Sequence, residues 1–285
     1  MAHVLTVDVE DWYHVENFTE VAPPERWPEL ESRLEQNVDT LLELFGRHDV
    51  KATFFILGAA VEEQPGVVKA IAGQGHEVGC HGWSHELIYR QKPAVFEEET
   101  RRSKSMIEDL TGEPVAGYRA STFSITQASL WALDVLAEIG FAYDSSIAPL
   151  RHDRYGIPGS PKHPYMHELD GGRSLLEFPV SVMRVLGWNF PLGGGFFRLF
   201  PLGTTLGALS AYEAEGQSGM LYLHPWEFDP DQPRLPGLGA LKRFRHYTGL
   251  RSSRAKLDRL LSQAEFRTMA DVLAARFPDC GVAGG

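Results

Sequence analysis

Three carboxylates fall within four residues at the end of an apolar run near the amino terminus: Asp8, Glu10 and Asp11 in VDVEDW. Like charges packed that closely are costly unless a cation or an arginine neutralises them, so the cluster predicts a bound metal. His81 and His85, in CHGWSH, are four residues apart and face one way on a helical turn or tight loop, and Cys80 just before them marks the buried end of a strand. Two imidazoles and one carboxylate leave coordination positions open, which suits a catalytic Zn²⁺ and also Fe²⁺, Co²⁺ or Ni²⁺. The plainer reading of the pair is two histidines hydrogen-bonded in a loop; the carboxylates at a second strand end weigh against it. His224 follows an apolar strand and precedes the run Trp226, Glu227, Phe228, Asp229. It reads either as a buried, satisfied histidine or as a general acid tuned near the working pH. Arg119 ends a further apolar run.

Short β-rich runs alternate with stretches of helical period, the pattern of a sheet with helices packed outside it. Residues 4–9, 50–57, 76–80, 115–119 and 141–144 read as strands. Leu34, Val38, Leu41, Leu42 and Phe45 recur at helical spacing between Ser32, a cap, and Gly46, and further helices are predicted over 65–72, 94–110 and 127–139. Residues 146–172, rich in Pro, Gly, His and Asp, read as a long irregular excursion. Residues 176–185 and 220–224 then read as strands around a helix at 204–215, and 253–264 and 268–277 as closing helices. Gly193 to Gly195 reads as a turn beside Phe196, Phe197 and Arg198, with no phosphate-loop Lys after it. Parallel strands alternating with helices build an open doubly wound sheet or a closed barrel, and both gather catalytic groups at strand carboxyl ends. The four polar groups above all lie there.

With 285 residues, 43% apolar and 23% charged, the chain is a folded protein, neither disordered nor fibrous, and long enough for one large α/β domain. A net charge of −11 excludes a general nucleic-acid binder. Cys80 and Cys280 are too few for a disulfide framework or a four-thiolate zinc site. Residues 1–6 carry no secretory signal, and the longest uncharged stretches, 120–133 and 199–212, fall short of the about 20 apolar residues that span a membrane, so a cytoplasmic protein is expected. Residues 242–259 hold seven Lys or Arg against one Asp. That run is either a solvated helix face or a seat for phosphate on a lipid-linked sugar, a nucleotide sugar or a membrane headgroup. No obligate protein partner is expected.

Five ordered motifs, VDVEDW at 7–12, HGWSH at 81–85, GYRAS at 117–121, YDSS at 143–146 and LYLHPWEFD at 221–229, resemble those of the polysaccharide deacetylase family, also called carbohydrate esterase family four. With GGGFFRLFP at 193–201 and RFRHYTGL at 243–250, the chain is similar to a subgroup found with bacterial exopolysaccharide assembly systems. The resemblance implies a single α/β domain over 1–285, a distorted (β/α)7 TIM-like barrel with a helical basic portion from about 240. It implies Asp8 as catalytic base, Arg119 as the arginine that steadies it, His81 and His85 as metal ligands, His224 as the catalytic histidine and Asp144 as the aspartate that tunes it. The third ligand is Asp11 if the family's ligand type decides, and Glu10 if a variant Asp-x-Asp spacing does. Ala120 and Ser121 stand where the family usually has a proline soon after the arginine. Trp12, Tyr13, Trp83 and Trp226 adjoin the site residues and suit stacking on sugar, although each alone reads as core. The implied reaction is metal-dependent removal of acetate from an N-acetylated amino sugar in a glycan or glycan precursor. Because a cleaved leader would take Asp8 with it, an intracellular precursor is the expected substrate. The competing readings are a C–N hydrolase of a non-sugar amide, allantoin- or cyclic-imide-type, and a catalytically silent glycan-binding protein.

Overall fold

The run HVLTVDV has every residue buried, as expected of a parallel strand covered on both faces. In the computed structural model, which describes residues 1–278 and 281–282 and so leaves Cys280 outside, this run is β1 (His3–Val9). On one side β1 pairs in parallel with β2 (Thr53–Ile56), which is followed by β3 (Glu77–Cys80), β4 (Gly117–Tyr118) and β5 (Tyr143–Asp144). β6 (Tyr165–Glu168) runs antiparallel to β7 (Ser174–Glu177), and β7 pairs in parallel with β5. β8 (Val182–Val185) and β9 (Trp188–Pro191) form a separate hairpin. β10 (Met220–Leu223) flanks β1 on its other side, and the short β11 (Phe266–Arg267) pairs with the start of β1. Seven parallel strands therefore run in the order β10-β1-β2-β3-β4-β5-β7.

The sheet is curled. Three strand spacings separate β4 from β1, about 14 Å on a flat sheet, yet the Arg119 guanidinium just past β4 donates to Thr6 Oγ1 of β1 at 2.7 Å and lies 3.6 Å from Met220 Sδ of β10. The interior of the curl is filled by Val4, Phe55, Tyr143, Leu176, Met220 and Tyr222, and Met269 and Leu273 belong to the same cluster. Outside it pack α1 (Leu34–Arg47), the short α2 (Gly58–Val61), α3 (Pro65–Gly73), α4 (Pro93–Thr111) and α5 (Trp131–Ile139). α4 and α5 stop at Gly112 and Gly140, whose positive φ of 74° and 95° suits the residue without a Cβ. α6 (Gly194–Leu199), α7 (Leu202–Ala214), α8 (Ala240–Tyr247), α9 (Leu250–Leu261) and α10 (Met269–Arg276) complete the chain. The architecture is thus the α/β single domain expected, a half-barrel parallel sheet surrounded by helices.

Several local expectations differ: Gly194 and Gly195, read as part of a turn, open α6, and the helix expected from residue 127 begins at Trp131. Residues 176–185 are not one strand: Pro179 has no amide donor, and the chain leaves β7 and turns into the β8–β9 hairpin. The excursion at 146–172 contains β6. Gly46 lies within α1, which ends at Arg47. Among the described residues, no helix is long and apolar enough to cross a membrane.

Candidate active site

β1 stops at Val9, and the next residues turn tightly, with the Glu10 amide donating to the Asp8 carbonyl. The turn sends the Asp8 and Glu10 side chains to the carboxyl end of the sheet, where both line a cavity of about 160 Å³ together with His81, His85, His224 and Trp226. Asp8 Oδ1 accepts from Arg119 Nη1 at 2.7 Å, and that guanidinium is fixed by Thr6 Oγ1, Ser145 Oγ and the Ser145 carbonyl, with the Phe55 ring beneath it at 4.2 Å. Both partners are buried, so the pair holds one Asp8 oxygen in place and leaves Oδ2 toward His224, 3.9 Å away.

Glu10, His81 and His85 bring one ligand atom each to within 4.8 Å of one another. The His81 Nδ1 is 2.8 Å from the Arg119 carbonyl oxygen, which can only accept, so the proton sits on Nδ1 and Nε2 keeps its lone pair. His85 is held at φ 56°, a left-handed conformation that costs about 1–3 kcal/mol in a residue bearing a Cβ and is concentrated at functional sites. Its Nε2 lies 2.8 Å from Glu10 Oε2, yet that buried oxygen receives no hydrogen bond. An orphaned carboxylate oxygen converging with two imidazoles fits a divalent cation by donor type and by geometry. Burial would raise the Glu10 carboxyl, but the His85, His224 and His81 rings around it outweigh burial and hold it below the ordinary carboxylate value.

Asp11 does not join this group. Its Oδ1 accepts from the Trp12 amide at 2.8 Å, and its Oδ2 accepts from Ser32 Oγ at 2.6 Å and the Arg33 amide at 2.9 Å, so it serves the amino end of α1. The carboxylate beside the histidines is Glu10, against the preference that ligand type gave to Asp11.

His224 caps a 3-10 turn, Pro225–Phe228, whose third residue, Glu227, reaches back to it. Glu227 Oε2 accepts from the His224 amide at 3.0 Å and lies 3.1 Å from Nδ1, while Oε1 accepts from Arg198 Nε at 2.7 Å. Burial would lower the His224 pKa, but Glu227, with Glu10 and Asp8, raises it to about 9. Asp144 was the expected tuning residue and does not reach His224. It accepts from Ser146 Oγ at 2.6 Å and from the Ser146 amide, and it faces Glu177 across β5–β7, where burial pushes both carboxyls up. Glu227 and Arg198 were legible only as neighbours in the WEF and FFRLF runs.

Of the aromatics, Trp226 lines the cavity, stacks on His224 with ring centroids 5.3 Å apart and donates Nε1 to Glu10 Oε1 at 3.2 Å. Trp12 is core, 1% exposed, with Nε1 on the Glu31 carbonyl, and Tyr13 packs against it. Trp83 lies outside the sheet against α2, with the Arg102 guanidinium 3.4 Å from its ring centre. The cavity takes its other rings from Phe123, Tyr155 and Tyr222.

The fold and site together are a half-barrel parallel sheet, surrounded by helices, with a carboxylate–histidine cluster at its strand carboxyl ends. Residues 27–143 match the family model described as polysaccharide deacetylase, and residues 145–274 match a domain of unknown function (DUF3473). It is similar to a peptidoglycan deacetylase of Helicobacter pylori, 34% identical over 113 residues that cover 40% of this chain and 38% of the relative. It is also similar to a chitooligosaccharide deacetylase of Bradyrhizobium, 29% identical over 97 residues, 34% of this chain and 42% of the relative. The match thus spans about two fifths of each of these relatives. A crystal structure from Mycobacterium smegmatis assigned to the polysaccharide deacetylases shares the fold, at TM-score 0.65 and 21% identity over 96% of this chain and 91% of that one.

Proposed function

We propose that the protein is a metal-dependent N-deacetylase of an N-acetylated amino sugar in a glycan or glycan precursor. The observation that carries this is the convergence of three units on one cavity: the Glu10, His81 and His85 donors, the Asp8–Arg119 pair, and the His224–Glu227–Arg198 relay. Glu10, His81 and His85 would hold a divalent cation, with zinc the best match to the donor set, and that ion would supply Lewis acidity to the acetamide carbonyl and to water. Asp8 Oδ2 takes the proton of the attacking water while Arg119 keeps the carboxylate oriented. His224, protonated at neutral pH, gives its Nε2 proton to the sugar nitrogen, so the C–N bond breaks and acetate and a free amine leave. The Trp226, Tyr222, Tyr155 and Phe123 rings offer apolar faces to the pyranose. The motifs at 193–201 and 243–250 support a substrate in exopolysaccharide assembly.

The test is acetate release from N-acetylglucosamine oligomers with and without chelator, alongside Asp8→Asn. Acetate that depends on both metal and Asp8 supports the reading. Bound metal without acetate moves the assignment to a non-sugar amide, and no bound metal moves it to a glycan-binding protein.

A further inference from the structure

Beside the catalytic cavity opens a larger groove of about 540 Å³, and the two share Asn17, Arg154, Tyr222, His224 and Trp226 in their walls. Two properties set the groove apart from the rest of the surface. Its outer wall is apolar: among the described residues, the exposed large hydrophobic side chains include Trp188 at 75%, Leu241 at 62%, Phe244 at 53% and Leu199 at 48%, all four of which line it. Leu186, 96% exposed, stands two residues from Trp188 at the tip of the β8–β9 hairpin. The groove is also cationic within an acidic protein, since Arg151, Arg154, Arg198 and Arg245 line it and, among the described residues, no Asp or Glu does.

Arg198 is committed to Glu227, but no carboxylate among the described residues lies within ion-pair distance of Arg151, Arg154 or Arg245. Three other cations of the basic run at 242–259 are engaged elsewhere. Lys242 pairs with Glu20, Arg254 with Glu43, and Lys256 donates to the Phe197 and Phe200 carbonyls.

Resting on the deacetylase reading, we propose that the substrate is an amphiphile, an N-acetylated amino sugar joined through a phosphate to a long hydrocarbon chain. The chain lies along Trp188, Leu241 and Phe244, the phosphate meets Arg151, Arg154 and Arg245, and the sugar enters the cavity at Asp8 and His224. The shared wall favours this occupant over a docked protein: what fills the groove is continuous with what reacts. Unpaired arginines next to apolar side chains select an anionic head carried on a hydrocarbon tail.

The experiment is calorimetric titration of the full chain with decyl phosphate, ethyl phosphate and decyl glucoside below their micelle concentrations. Burying as few as two methylenes is worth about tenfold in affinity, so decyl phosphate should bind at least about tenfold tighter than ethyl phosphate. Trp188→Ser and Phe244→Ser should each weaken decyl phosphate while leaving ethyl phosphate and acetate release from short soluble oligomers unchanged. Arg151→Glu with Arg245→Glu should abolish the preference for decyl phosphate over decyl glucoside. Equal affinity for the two phosphates, or decyl phosphate binding indifferent to the Trp188 and Phe244 changes, overturns the proposal. Chain-dependent binding with no acetate from any N-acetyl sugar would instead sink the deacetylase reading and leave the groove assignment standing.

Discussion

His224 and Glu227 are locked together twice across one 3-10 turn, the backbone amide of His224 donating to the same Oε2 that lies 3.1 Å from its Nδ1. The glutamate therefore sets both the orientation of the ring and its charge. With the pKa raised to about 9, the ring holds its second proton at neutral pH, and on the proposed mechanism the proton donor is lost as pH rises through that value. Glu227→Gln keeps the shape and removes the charge. Its alkaline limb in the pH–kcat profile should move to lower pH, with kcat reduced by about 10²- to 10⁴-fold, the usual contribution of general acid catalysis. An unshifted limb would assign the proton donor elsewhere.

Glu10 and Asp11 are adjacent in sequence and do different work, which a pair of variants separates. On the proposed reading Glu10 is a metal ligand, and Glu10→Gln should weaken metal binding by more than about 100-fold, since even outer-shell partners are worth 10- to 100-fold. Asp11→Asn should leave one metal per chain and instead lower unfolding free energy by about 1–2 kcal/mol, through loss of the contacts to Ser32 Oγ and the Arg33 amide. Metal content by mass spectrometry and urea unfolding read the two effects.

Arg119→Lys tests whether Asp8 needs orienting. A lysine keeps the charge but cannot reach Asp8, Thr6 and Ser145 together, as the guanidinium does. The expected result is a fall in kcat with KM little changed, because Asp8 would be misplaced for the water and not for the sugar. A change confined to KM would argue that Arg119 binds substrate.

The core contains histidines that must stay neutral. His14 Nδ1 accepts the Asp11 amide at 2.9 Å and His76 Nδ1 accepts the Ala52 amide at 3.2 Å, and burial lowers their pKa values to about 3 and about 4 from 6.5. The unfolded chain binds these protons first, so their contribution to stability is complete above pH 6.5 and falls as pH drops toward 4. His76→Asn, whose side-chain oxygen can accept the same amide, should flatten the loss between pH 6.5 and 4 in urea unfolding. A slope identical to wild type would remove His76 from the account.

Much of this site was legible because strand ends announce themselves. Asp8, His81, Arg119 and His224 each follow a run of buried apolar residues, and the parallel register of β1, β2, β3, β4 and β10 carries them to one end of the sheet. What the sequence hid lies past the last strand residue, where alternation no longer says which way a side chain points. Glu10 and Asp11 sit within one tight turn, and only the position of Ser32 and the start of α1 directs Asp11 away. Asp144 and Glu227 are both carboxylates near strand ends, and the choice between them rests on a single 3-10 turn that no periodicity reports. Trp83, inside the HGWSH motif, points outward because His81 and His85 take the inward positions.

The most direct test of the central claim is a metal titration of chelator-stripped protein, with bound metal and acetate release from an N-acetylglucosamine oligomer measured on the same samples. The account predicts that acetate release rises in step with metal to one ion per chain, that Glu10→Gln abolishes both, and that Asp8→Asn abolishes acetate release while the metal still binds. Acetate release indifferent to chelation, or a Glu10→Gln protein that binds metal and turns over as wild type does, would contradict it.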